Sequence, residues 1–340
     1  MVDENLIRRF GMCLLVALVA LVSVGCAGRR VGQVLERRGQ EIVIAGQLVH
    51  VGAPVVLWTD PGGYDAYRVE KRFAPWAESD WDDKGKTGPQ QPLRYGIRKA
   101  GLSETEFEMV RGGGWSIEQL RERVDQFVMH YDVCGTSRTC FRVLHDQRYL
   151  SVHFMLDLDG TIYQTLDVKE RAWHATISND RSVGIEIANM GAYSAKEKDP
   201  FAQWYAQDEK GTRITIPTRL GDGGIRTPSF VGRPARPEPV VGTIGTRELR
   251  QYDLTPQQYA SLIKLTAALH KALPKIALDY PRDKSGNLIN QQLSKEQWQQ
   301  FQGVLGHYHV QGDKADPGPA FDWDQVVNGA RREVGLPRLK

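Results

Sequence analysis

Short apolar runs separated by turn residues fill the middle of the chain and restrict it to an α/β fold. Phe127-Val-Met-His130-Tyr131 is a continuous apolar run of the kind that suits a buried strand. Ser151–Leu158 and Ile162–Leu166, joined across Asp157-Leu158-Asp159-Gly160, read as a hairpin, with the two aspartates explained by turn chemistry. Ser182–Asn189 alternates Val183, Ile185 and Ile187 as a further strand. Helices interleave with these strands. Ser116 can cap a helix with Gln119 at the capping-box position, and Ile117, Leu120 and Val124 follow at helical spacing. Thr255-Pro256 supplies a cap and a first-turn proline for a helix through Leu262, Leu265 and Leu269, and a last helix covers roughly Trp323–Val334. Interleaving of this kind predicts a mixed central β-sheet flanked by helices.

Two regions sit outside that pattern. Residues 26–115 hold three short strand-like runs, Glu41–Ile44, Gln47–Val51 and Val55–Trp58, and read as a β-rich N-terminal extension with an irregular segment at 75–96. Between 211 and 245 twelve residues are Gly or Pro, which predicts a surface insertion, at about 195–250, without regular structure. A length of 340 residues allows two domains, but the interleaved region already accounts for most of it, so one domain with additions is the better reading.

Charge argues against nucleic acid as a partner. The 44 basic and 41 acidic side chains nearly cancel, and no run of Lys and Arg is long enough to form a binding arm. Only the N-terminus is strongly apolar. Arg8 and Arg9 precede the run Cys13–Val22, and Gly25-Cys26-Ala27-Gly28 follows, the layout of a secretory signal over residues 1–25. A Cys after Gly at the cleavage point resembles a bacterial lipoprotein signal, which implies lipidation of Cys26. Ordinary cleavage or an uncleaved anchor is the other reading. Both export the body of the chain to the cell envelope or periplasm, and the lipidated form would be anchored to the outer membrane. In an oxidising compartment, Cys134 and Cys140 can close a small loop as a disulfide, or stay as two thiols.

Three segments concentrate chemistry. His130 ends an apolar strand, Glu186 interrupts another, and His307 through Asp316 brings His, Lys and Asp into one Gly/Pro-rich loop. A carboxylate buried without a partner costs several kcal/mol, so Glu186 is there for a reason. Two imidazoles and a carboxylate from separate segments suit a catalytic zinc with three protein ligands and an open fourth position.

Together these segments resemble the zinc-dependent N-acetylmuramoyl-L-alanine amidases of the type-2 amidase and peptidoglycan recognition protein family. The matching stretches are Phe127–His130, Ser151–Gln164, Arg171-Ala172-Trp173-His174-Ala175, Asn179–Glu186, and Gly306-His307 through Asp316 to Trp323. The resemblance covers about 116–330 and implies a zinc amidase domain over 116–335. It implies that His130, His307 and Asp316 bind one Zn2+ per chain, that Glu186 is the general base, and that Lys314 stabilises the oxyanion. It also implies that His174 lines the substrate groove and that Cys134 and Cys140 form a bridge, since peptidoglycan recognition relatives carry a Cys-x5-Cys loop there. The expected reaction is hydrolysis of the amide between N-acetylmuramic acid and L-alanine in peptidoglycan or muropeptides. Two alternatives are a peptidoglycan-binding module of the same fold without hydrolysis, and a zinc hydrolase acting on another envelope amide. Binding-only relatives typically lose a zinc ligand, whereas the full set is present here. His153 is expected to be structural, and His309 to be no ligand.

Overall fold

The computed structural model describes residues 31–79 and 95–339, so the signal and Cys26 lie outside the described residues, as does most of the irregular 75–96 segment. The chain divides into two units, Met1–Arg38 and Gly39–Lys340. In the first, residues 31–38 hold no helix or strand.

The second unit is built on fourteen strands among the described residues: β1 (Glu41–Ile44), β2 (Gln47–His50), β3 (Val55–Leu57), β4 (Tyr95–Gly96), β5 (Gln126–Tyr131), β6 (Phe154–Leu156), β7 (Ile162–Gln164), β8 (Arg171–Ala172), β9 (Ser182–Ile187), β10 (Tyr205–Asp208), β11 (Gly211–Ile214), β12 (Val240–Ile244), β13 (Arg247–Gln251) and β14 (Gly303–Gly306). Six of them make the central sheet, in the order β14-β5-β9-β6-β7-β3. Only the β6–β7 hairpin is antiparallel, so the sheet is mixed as expected. The two helix starts read from caps are present, at Ile117–Arg123 behind Ser116 and Pro256–Ala272 behind Thr255, and the last helix is Trp323–Glu333. No described helix is long and apolar enough to cross a membrane.

Side-chain parity decides which face of the sheet is chemical. Phe127 and Met129 of β5 and Val183, Ile185 and Ile187 of β9 pack into one core with Leu262, Leu265 and Leu269 of the Pro256–Ala272 helix and Val326 and Val327 of the last helix. Each such fully buried side chain contributes roughly 1.5–3 kcal/mol. Because successive residues of a strand point to opposite faces, Val128 and His130, and Gly184 and Glu186, face the other way. That opposite face carries two smaller clusters, one around Met155, Tyr163 and Phe141 and one around Val128, Leu305 and Val310.

From Gly39 onward, the described part of the N-terminal extension is built into this unit. β3 adds the edge strand beside β7, and Ile42 and Ile44 of the β1–β2 hairpin are fully buried in the main core. The insertion departs from expectation. Its Gly and Pro residues do not exclude regular structure but punctuate it, leaving two antiparallel hairpins, β10–β11 and β12–β13. A glycine tolerates the turn within the second: Gly245 lies at φ +60 between β12 and β13.

Candidate metal centre and active site

Three adjacent strands bring the site together. β5 lies between β14 and β9, His130 is the register partner of Glu186, and His307 follows directly on Gly306 at the end of β14. Parallel partners project to the same face, so one edge of the sheet presents His307, His130 and Glu186 side by side. The loop after the short helix His307–Val310 then returns Asp316, whose carbonyl accepts from the Tyr308 N–H at 3.2 Å.

Asp316 joins the two histidines. Its Oδ2 is 2.8 Å from His130 Nδ1 and 2.9 Å from His307 Nδ1, and the two Nδ1 atoms are 3.0 Å apart. This is a group of three buried side chains that could hold a metal ion. Burial, with the His307 charge, pushes His130 down to about 4, so its imidazole is neutral near pH 7 and has a lone pair to give. Burial alone would raise Asp316, but the His307 and His130 rings outweigh it and hold the carboxyl well below the usual range. Two imidazole nitrogens and one carboxylate oxygen, all converging, form a donor set that fits zinc. Tetrahedral ligands at 2.0–2.1 Å from zinc would be about 3.3 Å apart, close to these spacings. The outer nitrogens are also engaged, as ligating histidines require. His307 Nε2 lies 2.7 Å from Gln311 Oε1, and His130 Nε2 lies 3.0 Å from His174 Nδ1.

Around this group is a cavity of about 220 Å³, lined also by Glu186, Lys314, His174, Trp173, Arg148 and Asp132. Two larger depressions, of about 640 and 490 Å³, lie along 279–301 and 213–232 and hold no such set. One Glu186 oxygen, Oε2, is buried with no hydrogen-bond partner, as is the Trp173 indole N–H. Burial, reinforced by the Asp316 and Asp132 charges, raises the Glu186 pKa well above the ordinary value. A carboxyl in that state is suited to taking a proton. Lys314 meets the cavity from a loop braced by the insertion, since Arg247 of β13 donates to the Lys314 carbonyl at 2.5 Å. Gln311 and Arg247 were missed in the sequence. The first sits one helical turn after His307, which is a usable signal; the second comes from a distant hairpin and offers none.

His153 is fully buried and structural: its Nδ1 accepts from the Gly184 N–H at 3.1 Å and its Nε2 lies 2.9 Å from the Glu170 carbonyl. His309 accepts from the Gly306 N–H at 2.8 Å and reaches the Ile289 carbonyl at 2.6 Å, so both its nitrogens are used away from the metal group. Cys134 and Cys140, expected to pair, stand as free cysteines, Cys140 buried and Cys134 half-buried. In the same loop Asp132 Oδ1 accepts from the Cys134 and Gly135 N–H groups, and Thr136 caps the following helix.

Comparison with known proteins places this site in a family. The family model described as N-acetylmuramoyl-L-alanine amidase, Amidase_2, matches residues 120–319, and the chain belongs to that family. No curated protein matches the chain. Among solved structures, a selenomethionine derivative of AmpD is similar at 16% identity over 69% of this chain and 89% of that one, with a TM-score of 0.32. The amidase AmiD from E. coli, solved in complex with anhydro-N-acetylmuramic acid-L-Ala-D-gamma-Glu-L-Lys, is similar at 18% identity over 63% of this chain, with a TM-score of 0.34; the chain spans 58% of its length. The endolysin LysCS from Clostridium intestinale is similar at 17% identity over 64% of this chain and 88% of that one, with a TM-score of 0.31.

Proposed function

We propose that this protein is a zinc-dependent hydrolase of the amide between the lactyl group of N-acetylmuramic acid and L-alanine, acting on peptidoglycan or its soluble fragments. The observation that carries this reading is the convergence of His130 Nδ1, His307 Nδ1 and Asp316 Oδ2 beside a Glu186 oxygen that has no partner, in a chain of the amidase family. His130, His307 and Asp316 would hold the ion. When bound, zinc supplies Lewis-acid polarisation of the scissile carbonyl and makes water acidic enough to attack near neutral pH.

The remaining work falls to the protein. Glu186 takes a proton from the attacking water and delivers it to the departing L-alanine nitrogen, a transfer that contributes roughly 10²–10⁴-fold. Lys314, beside Asp313 and two residues before Asp316, puts a positive charge where negative charge develops on the carbonyl oxygen. Trp173 and Arg148 give the cavity an unpartnered N–H donor and a cation for a substrate with carboxylates on its stem peptide. A binding module would need none of Glu186, Lys314 and an open metal position together.

Mass spectrometry of the products tests the reaction. Incubation of the purified chain with soluble muropeptides should release intact stem peptides with a free L-alanine amine, together with sugar carrying an unsubstituted lactyl carboxylate. Recovery of the muropeptides unchanged, but bound, would support the non-catalytic reading instead. Cleavage at a different amide would support the third.

A further inference from the structure

His174 is expected from sequence to line the groove, and its ring does border the cavity. Both of its nitrogens, however, are turned to the protein. Nδ1 lies 3.0 Å from His130 Nε2, and Nε2 lies 3.2 Å from Ser182 Oγ. Neither is left to bond a substrate. We propose that His174 is a positioning residue for the metal ligand His130, held in a hydrogen-bonded series that runs from Ser182 through His174 to His130. The proposal rests on the metal-site reading given above.

Proton bookkeeping gives the series a single direction. An imidazole that gives its Nδ1 lone pair to a metal carries its proton on Nε2. His130 therefore donates from Nε2 to His174 Nδ1, which must be the unprotonated nitrogen of that ring. The His174 proton then sits on Nε2 and is donated to Ser182 Oγ. Each ring is fixed in one tautomer and one orientation by the next, which is what a partner behind a metal-bound histidine supplies.

The fold makes a dedicated seat for this ring. A Cβ at position 184 would lie 2.5 Å from His174 Nδ1, so the imidazole occupies space that only a glycine leaves open. Gly184 is the residue of β9 that faces the site two positions before Glu186. The backbone carrying the ring is also fixed. Asn179 Oδ1 accepts from the His174 and Ala175 N–H groups at 3.2 and 2.7 Å. The guanidinium of Arg98, almost wholly buried, donates in turn to the Asn179 carbonyl at 3.1 Å. Arg98 belongs to the N-terminal extension, so that segment braces the loop that presents His174.

Zinc affinity of the full chain, measured by competition with a chromophoric chelator, separates this role from substrate contact. His174→Ala should weaken zinc binding roughly 10–100-fold, the usual effect of removing a partner behind a ligand. His174→Asn, whose amide oxygen can fall near the Nδ1 position, should restore most of that affinity. Ser182→Ala should give a smaller loss, and Gly184→Ala a loss through displacement of the ring. Wild-type zinc affinity in His174→Ala, with a raised KM for muropeptide, would overturn the proposal and return the residue to the groove. If His174→Ala melts out, Ser182→Ala and Gly184→Ala decide: unchanged affinity in both overturns the series. A wild-type chain that binds no zinc would instead remove the metal-site reading, and the inference with it.

Discussion

Glu186 stands on the face of β9 turned away from the helix-packed core, and its neighbours Ile185 and Ile187 are buried in that core. Its chemistry gives a direct prediction. Glu186→Gln keeps the shape and leaves the zinc ligands untouched, so the variant should bind zinc as wild type does while kcat falls roughly 10²–10⁴-fold. Full turnover in that variant would remove Glu186 as the base. The sign of the pH dependence follows from the same residue. Burial first, then Asp316 and Asp132, disfavour the ionised carboxylate and raise its pKa above the ordinary 4.5. A base must be ionised, so activity should be lost as pH falls through the pKa of Glu186. kcat/KM should therefore fall on the acid side as Glu186 is protonated, and a profile without an acid limb would contradict the assignment. At this scale the residue types were legible: His130 and Glu186 stand out on apolar strands, and His307 and Asp316 stand out in one Gly/Pro-rich loop that concentrates His, Lys and Asp. The role of His174 was not legible, because it depends on which atoms face its two nitrogens.

At the scale of elements, the site exists because register and parity agree. His130 and Glu186 are register partners, and the strand order places β14, which delivers His307, on the other side of β5. A shift of one residue in either pairing would turn the imidazole or the carboxylate into the helix-packed core. The buried strands β5 and β9 and the capped helices could be read from the sequence, since their apolar spacing and caps are local signals. β14 could not. Gly303-Val304-Leu305-Gly306 has too little apolar length to announce a strand, and it is defined by pairing with β5. The insertion misled for a related reason. Gly and Pro mark turns and breaks, but they do not forbid short antiparallel ladders between them, and β12–β13 pairs five residues on each side.

For the whole molecule, the unexpected result is that the described extension from Gly39 onward belongs to the unit that holds the site. β3 completes the central sheet, and Arg98 donates to the Val168, Asn179 and Asp180 carbonyls beside the site. Long-range contacts of that kind leave no local signature, so the sequence could only mark 26–115 as additional. The signal and Cys26 lie outside the described residues, and we propose from their sequence that the mature chain is lipidated at Cys26 and held at the cell envelope. Cys26→Ser should release the protein from the membrane fraction, whereas a wild-type chain found unlipidated and membrane-free would contradict the anchor. The central claim, that hydrolysis depends on zinc held by His130, His307 and Asp316, is tested most directly by metal content and reconstitution. The purified chain should carry about one zinc, lose amidase activity on chelation and regain it when zinc returns. Full activity in protein freed of metal would contradict the account.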